Sequence, residues 1–348
     1  MLKAKVKAAY DYVGLPCIII ACFLLFMFIC LPILDMNVQE IINSCINRIG
    51  MNWVLALALM PPMIAGIGIN FGQSLGIVCG LLGGMLSIEW GLTGWLGFAV
   101  AIAISVPFAT LFGTGYGAVL NKVKGSEATI STYVGFSVVA LMSALWLLFP
   151  VQSEAVRWPM GNGVRAILTL TGSYENILDN ALAIHITDQI TLPIGTFVFC
   201  ALLSLCMYLF SRSRTGIILK TSGMNPRFAS AIGIDNNRSR RISIVLSTVL
   251  SAVGIIVHAQ SYGFYQFYEA PLTMVYAYAA AILIGGANGT RATVFNVILG
   301  TILFQSMLTV ASPLGNRLLP ESTLSEVLRI LISYGVILYA MTKAGKKK

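Results

Sequence analysis

Charge is scarce in this sequence. Asp, Glu, Lys and Arg make up only 10% of its 348 residues, where a soluble globular protein carries about 25%. Apolar residues make up 57%, and the mean hydropathy is +0.85. That balance excludes an ordinary water-soluble fold. Period-two alternation with a polar lumen face is also missing, which excludes a membrane barrel. Histidine is nearly absent, with only His185 and His258. No G-x-x-x-x-G-K-[ST] occurs, so this chain has no P-loop to cradle nucleotide phosphates. No C-x-x-C occurs among the seven cysteines. Cys17, Cys22, Cys30, Cys79, Cys200 and Cys206 lie in or beside apolar stretches, and Cys45 lies in a polar one. They read as small packing residues, not as a disulfide framework or metal site. Nothing here is expected to be catalytic, to bind a metal or to hold a cofactor.

What is present is a series of apolar runs. A membrane span needs about 20 mostly apolar residues. Ten runs qualify, at roughly 12–33, 53–69, 73–88, 95–119, 128–149, 192–211, 242–261, 272–287, 293–311 and 323–342. The first follows three lysines and is too long for a signal-peptide core, so it reads as an uncleaved anchor. The third and eighth are short and glycine-rich, as in broken or tilted helices. The chain is therefore expected to be one all-α polytopic membrane domain over residues 1–348, with about ten transmembrane helices.

The net charge of +9 does not point to nucleic acid, because its placement is one-sided. With both termini inside, 17 of the 22 basic residues fall in cytoplasmic segments, among them Lys122, Lys124, Arg212, Arg214, Arg238, Arg240, Arg241 and Arg291. They read as topology signals and as contacts to anionic membrane lipid. A segment at about 150–191 is then an external loop folded over the outer mouth. It holds Glu154, Glu175, Asp179 and Asp188. Glu89 and Trp90 reach the outer interface, and Glu326 and Arg329 are spaced to pair on the last span.

The most telling segment lies in the cytoplasmic loop at about 212–241. Asn225 is a good N-cap, Pro226 suits the first helical position, and Gly233 suits the left-handed stop. A capped helix of about two turns is expected between them. Phe228 is an apolar residue there with no lipid to enter.

Gly223, Asn225, Pro226, Ala229, Gly233 and Ile234 resemble the G-x-N-x-x-A-x-x-x-G-I coupling loop of permease subunits of bacterial ATP-binding-cassette importers. The branch in question holds ribose-type sugar permeases and the nucleoside permeases that work with basic-membrane-protein-type lipoproteins. The resemblance implies a plasma-membrane complex with a separate ATPase that binds the ATP, a second permease chain and an external solute-binding lipoprotein. It also implies that Gly223, Met224, Asn225, Pro226, Arg227, Phe228, Ala229 and Gly233 couple this chain to the ATPase.

Polar residues inside apolar runs are candidates for the solute path. Asn70, Gln73 and Ser74, with Phe71 between them, interrupt one such run; they offer neutral hydrogen bonds suited to a sugar or nucleoside. The other reading is interhelical hydrogen bonding. Tyr276 and Asn288 join the candidate path, and Tyr262, Tyr265, Tyr268 and Tyr278 read as interfacial tyrosines or as stacking platforms. Gly125–Thr132 resembles the nucleoside branch's G-x-N-E-V-I-S-T through Glu127, Ile130, Ser131 and Thr132. Ala279–Gly286 resembles the sugar branch's A-A-V-V-L-G-G. The solute class stays open between them.

A weak repeat relates Ala65–Asn70 to Ile284–Gly289. If halves at about 53–149 and 242–342 correspond, the offset of five spans makes them inverted repeats with interrupted helices. Two unrelated glycine-rich helices are the alternative. A stand-alone secondary transporter or a channel for a small neutral solute is the competing function. Ion coupling needs an ionisable mid-membrane residue, and the spans hold almost none.

Overall fold

The computed structural model describes residues 15–159, 161–187, 189–268, 270–287 and 291–318, together with residue 335. The expected last span at 323–342, the Glu326–Arg329 pair and Asn288 lie outside these residues.

The described residues form a helical bundle. Helix α1 (Leu15–Ile33) is apolar on every side and packs Met27 and Leu31 against the chain's C-terminal helices. Helix α2 (Val38–Leu57) is capped by Asn37, whose side chain accepts from the Glu40 amide. The Pro61–Pro62 pair follows. Two prolines remove two helical N–H donors and clash with the preceding turn, so the helix breaks and restarts as the short α3 (Met60–Ile64). The second span was expected to begin at residue 53. The structure starts the helix at Val38, because its polar residues have partners in the fold. Cys45, read as a loop residue, is buried on α2.

The chain then turns through Gly66 and Gly68, both at positive φ, into a 3-10 turn (Phe71–Gln73) and α4 (Ser74–Glu89). Helix α5 (Gly94–Lys122) and α6 (Glu127–Leu148) follow, then α7 (Ile177–Ala181) and α8 (Ile194–Arg212). A basic hairpin of α9 (Arg214–Met224) and α10 (Pro226–Ala231) leads into α11 (Asn236–Tyr262). The last described elements are α12 (Ala270–Ile284) and α13 (Val294–Leu318).

Helices α4 and α11 run through the centre, and α6 and α8 lie at the edge. Small residues set the central crossings. A Cβ on Gly80 would lie 2.4 Å from the Ala252 carbonyl oxygen of α11, and one on Gly83 would lie 2.5 Å from that of Ala101 on α5. Glycine at these points lets backbones approach as they do in membrane helix pairs.

Six helices among the described residues are long and apolar enough to cross a membrane: the 3-10 turn with α4, then α5, α6, α8, α11 and α13. Two shorter apolar helices accompany them, Cys17–Ile33 and Ala270–Ile284. The described residues do not test the expected tally of about ten, because the last expected span lies outside them, but local breaks do shorten two of the expected runs. The proline pair splits one run, and Gly285–Gly286, with Gly286 at φ 89°, ends α12 early.

Two small antiparallel sheets lie at one end. Strand β1 (Ile167–Thr169) pairs with β4 (Phe264–Gln266), and β2 (Ala183–Thr187) pairs with β3 (Ile190–Pro193). The segment carrying β1 to β3 is strapped across the bundle end. The Glu89 carboxylate accepts from the Gln152 and Ser153 amides at 2.7 and 3.2 Å, and the Asn176 amide donates to the Gln260 carbonyl at 2.8 Å. The α9–α10 hairpin occupies the opposite, basic end.

Candidate functional site

The break after α3 is built around Asn70. Its Oδ1 accepts from the Gly72 amide at 3.1 Å and from the Tyr116 hydroxyl at 2.6 Å. Its Nδ2 donates to Ser247 Oγ at 3.3 Å. One wholly buried side chain therefore joins the 3-10 turn to α5 and α11. Gln73 is equally buried; its Nε2 donates to the Leu55 carbonyl at 2.8 Å, while its Oε1 has no partner. Both residues point into packed protein.

Their neighbours face outward. The Phe71 ring lies against Tyr276, with centroids 5.5 Å apart. Phe71, Ser74 and Tyr276 line a narrow crevice with Thr132, Gly135 and Phe136 of α6. The structure thus gathers three of the expected path residues and adds Thr132, which the sequence marked only as part of a motif. The crevice lies at the edge of the bundle, where Tyr133 and Phe136 are exposed.

The other tyrosines divide. Tyr278 is buried and donates to Asn52 Oδ1 at 3.0 Å. Tyr265, read as an interfacial tyrosine or stacking platform, is instead buried, with its hydroxyl 3.0 Å from that of Tyr174. Burial pushes both phenols up from their ordinary value, so each keeps its proton. Tyr262 remains exposed at the bundle end.

At the basic end, the hairpin has the expected caps. Asn225 Oδ1 accepts from the Phe228 amide at 3.0 Å, Pro226 opens α10, and Gly233 takes φ 83°. The helix has six residues. Ala229 packs inward, and Asn236 stitches α10 to α11 by donating to the Pro226 carbonyl at 2.9 Å and to Ser230 Oγ at 2.8 Å. Arg227 is exposed. Met224, Phe228 and Ile232 are 54%, 54% and 55% exposed, respectively. Phe228 and Ile232 are one helical turn apart on α10 and its C-cap, whereas Met224 ends α9 before the Asn225 break.

One contact ties this hairpin to the broken helix, and a second clamps the neighbouring helices of the bundle. Gly223 sits so close to the broken helix that a Cβ on it would lie 2.2 Å from the Ile64 carbonyl oxygen. Arg240 of α11 pairs with Glu127 of α6 at 2.7 Å and donates to Asn121 Oδ1 at 3.1 Å. Sequence reading found Glu127 and Arg240 separately but not their union.

Residues 41–341 match the family described as "Branched-chain amino acid transport system / permease component". The chain belongs to this family. The permease is also 20% identical over 260 residues to the "Nucleoside ABC transporter permease protein NupB" of Lactococcus lactis subsp. cremoris (strain MG1363), covering 70% of this chain and 68% of that relative. No solved structure matches it. With its apolar helices, the family assignment makes the permease a multi-pass membrane protein.

Proposed function

We propose that the permease is the membrane subunit of an ATP-binding-cassette importer that moves a small neutral hydroxylated solute, a nucleoside before a sugar. The observation that carries this reading is the doubly capped helix α10 with Phe228 and Ile232 exposed on it and its cap. An ATP-driven importer chain with no P-loop draws on a separate ATPase, and these exposed side chains offer a soluble ATPase an apolar seat. The basic charge around it supports a cytoplasmic position for this end and for both termini. The strapped 150–191 segment then meets the external solute-binding lipoprotein.

Phe71, Ser74, Thr132 and Tyr276 line the solute path in this reading. Their crevice lies at the bundle edge, so a second permease chain closes it. Aromatic faces and hydroxyls suit stacking on a base and hydrogen bonding to a ribose. The named relative and the Glu127–Thr132 segment favour the nucleoside. The two interrupted helices, α3 to α4 and α12 to α13, are the corresponding parts of an inverted repeat. A buried asparagine lies at each: Asn70, whose Nδ2 donates to Ser247 Oγ of α11, and Asn296 of α13, whose Nδ2 donates to the Gly285 carbonyl at 2.6 Å.

The test is uptake by proteoliposomes containing the permease, its ATPase and its binding protein. ATP-dependent uptake of labelled nucleoside is expected. Uptake driven by an ion gradient without ATP contradicts the proposal and favours a secondary transporter.

A further inference from the structure

A cavity of about 440 Å³ lies between α3, α8, α9 and the residues that lead into α13. The reading above gives it no role. Met60, Ile64, Tyr208 and Met224 supply apolar walls, and Lys220 and Arg291 supply two cations. Among the described residues no acidic side chain lines it. Among the described residues the only ion pair joins Arg240 to Glu127, so neither cation of the cavity has an acidic partner there. Both cations are exposed, and an anion or water satisfies their charge.

The depth of the cavity narrows the choice of anion. Tyr208 and Ser211 belong to the last turn of α8, a helix of membrane length. Arg212 stands at that helix end, with its guanidinium 4.6 Å from the centre of the Tyr208 ring. Helix α9 exposes Ile217 and Ile218. Apolar residues on one level with basic ones mark the boundary where acyl chains meet headgroups. An amphiphile with a negative head fits both halves of the lining.

We propose that this cavity holds one anionic phospholipid. Lys220 and Arg291 pair with its phosphate, and Met60, Ile64 and Met224 cover the glycerol and the first acyl carbons. Lys220 and Met224 belong to α9, immediately before the coupling helix. Met60 and Ile64 belong to the broken helix. The lipid therefore bridges the hairpin and the break on the same side as the Gly223 contact. The proposal rests on the functional reading only for the basic end facing the anionic leaflet.

The experiment reads binding, not transport, so it is independent of the solute and the motor. Purified full-length permease is exchanged into phosphatidylcholine nanodiscs doped with phosphatidylglycerol, released, and weighed by native mass spectrometry. The wild type is expected to retain one phosphatidylglycerol. The double variant Lys220→Gln with Arg291→Gln is expected to retain it about thirtyfold less well, the loss for two cation contacts. Met224→Asp, an exposed position, is a second variant, which should expel the lipid by repulsion. Lys122→Gln with Lys124→Gln, at the same end but outside the cavity, should retain it as the wild type does. Equal retention in the cavity variants overturns the proposal. So does equal loss in the control pair, which would mean diffuse surface charge, and so does displacement of the lipid by inorganic phosphate, which would mean a soluble-anion site.

Discussion

Gly66 and Gly223 meet backbone to backbone. A Cβ on Gly66 would lie 2.8 Å from the Gly223 Cα, and Gly66 itself sits at φ 73°. The hairpin's residue before its capped helix thus rests directly on the break that leads to the buried Asn70. Gly223→Ala must push the two apart, at a cost of about 1–3 kcal/mol for overpacking. The expected outcome is a lower unfolding temperature and transport reduced at least about tenfold, with ATPase binding retained. Normal uptake by a folded Gly223→Ala permease would remove this contact from the coupling route.

Asn70 and Tyr276 should behave differently. Asn70→Leu leaves the Tyr116 hydroxyl and the Gly72 amide without their buried acceptor, at about 1–3 kcal/mol each. Loss of stability is expected, seen as a shift in thermal unfolding of the purified permease. Tyr276→Leu gives up one aromatic contact, about 1 kcal/mol. It should fold normally and raise the KM for uptake. An unchanged KM would take Tyr276 off the path.

The capped helix α10 was legible because every signal for it is local. The Asn225 cap, the Pro226 start and the Gly233 stop all act within one or two turns. The polarity of the Asn70 turn was legible too, but its direction was not. Tyr116, which takes one of its hydrogen bonds, lies 46 residues away, and Ser247 lies 177 away. Helix α2 was hidden for the same reason. Asn52 looks like a loop residue until Tyr278, 226 residues on, supplies its partner. Pro61 and Pro62 stood in plain view and signalled the helix break, yet an apolar-window reading passes over them. Gly66 and Gly223 carry no sign in sequence that they touch.

The Glu127–Arg240 pair clamps α6 to α11 at the basic end. Its side chains are 14% and 12% exposed. A fully buried pair broken on one side costs about 3–5 kcal/mol, and partial exposure reduces that to roughly 2 kcal/mol. Glu127→Gln is expected to destabilise the permease by about that amount, measured by chemical denaturation. The swap of Glu127→Arg with Arg240→Glu should recover part of it. No recovery would mean that Asn121 and the Leu120 carbonyl, not the charge pair, hold Arg240.

Topology is open to a direct check. In a cysteine-free background, a membrane-impermeant maleimide added to intact cells should label Gly161→Cys and spare Arg238→Cys. Labelling at Arg238→Cys would turn the bundle over and place the hairpin outside.

The central claim is that α10 receives the motor. Phe228→Ala removes an apolar anchor whose burial is worth about 1.5–3 kcal/mol. Arg227→Ala removes an exposed charge worth about 0–1 kcal/mol. The decisive measurement is ATPase activity of the reconstituted complex, stimulated by solute-loaded binding protein, together with uptake. The account predicts that Phe228→Ala loses most of the stimulation and uptake while Arg227→Ala keeps both. Full stimulation and full uptake with Phe228→Ala would contradict it.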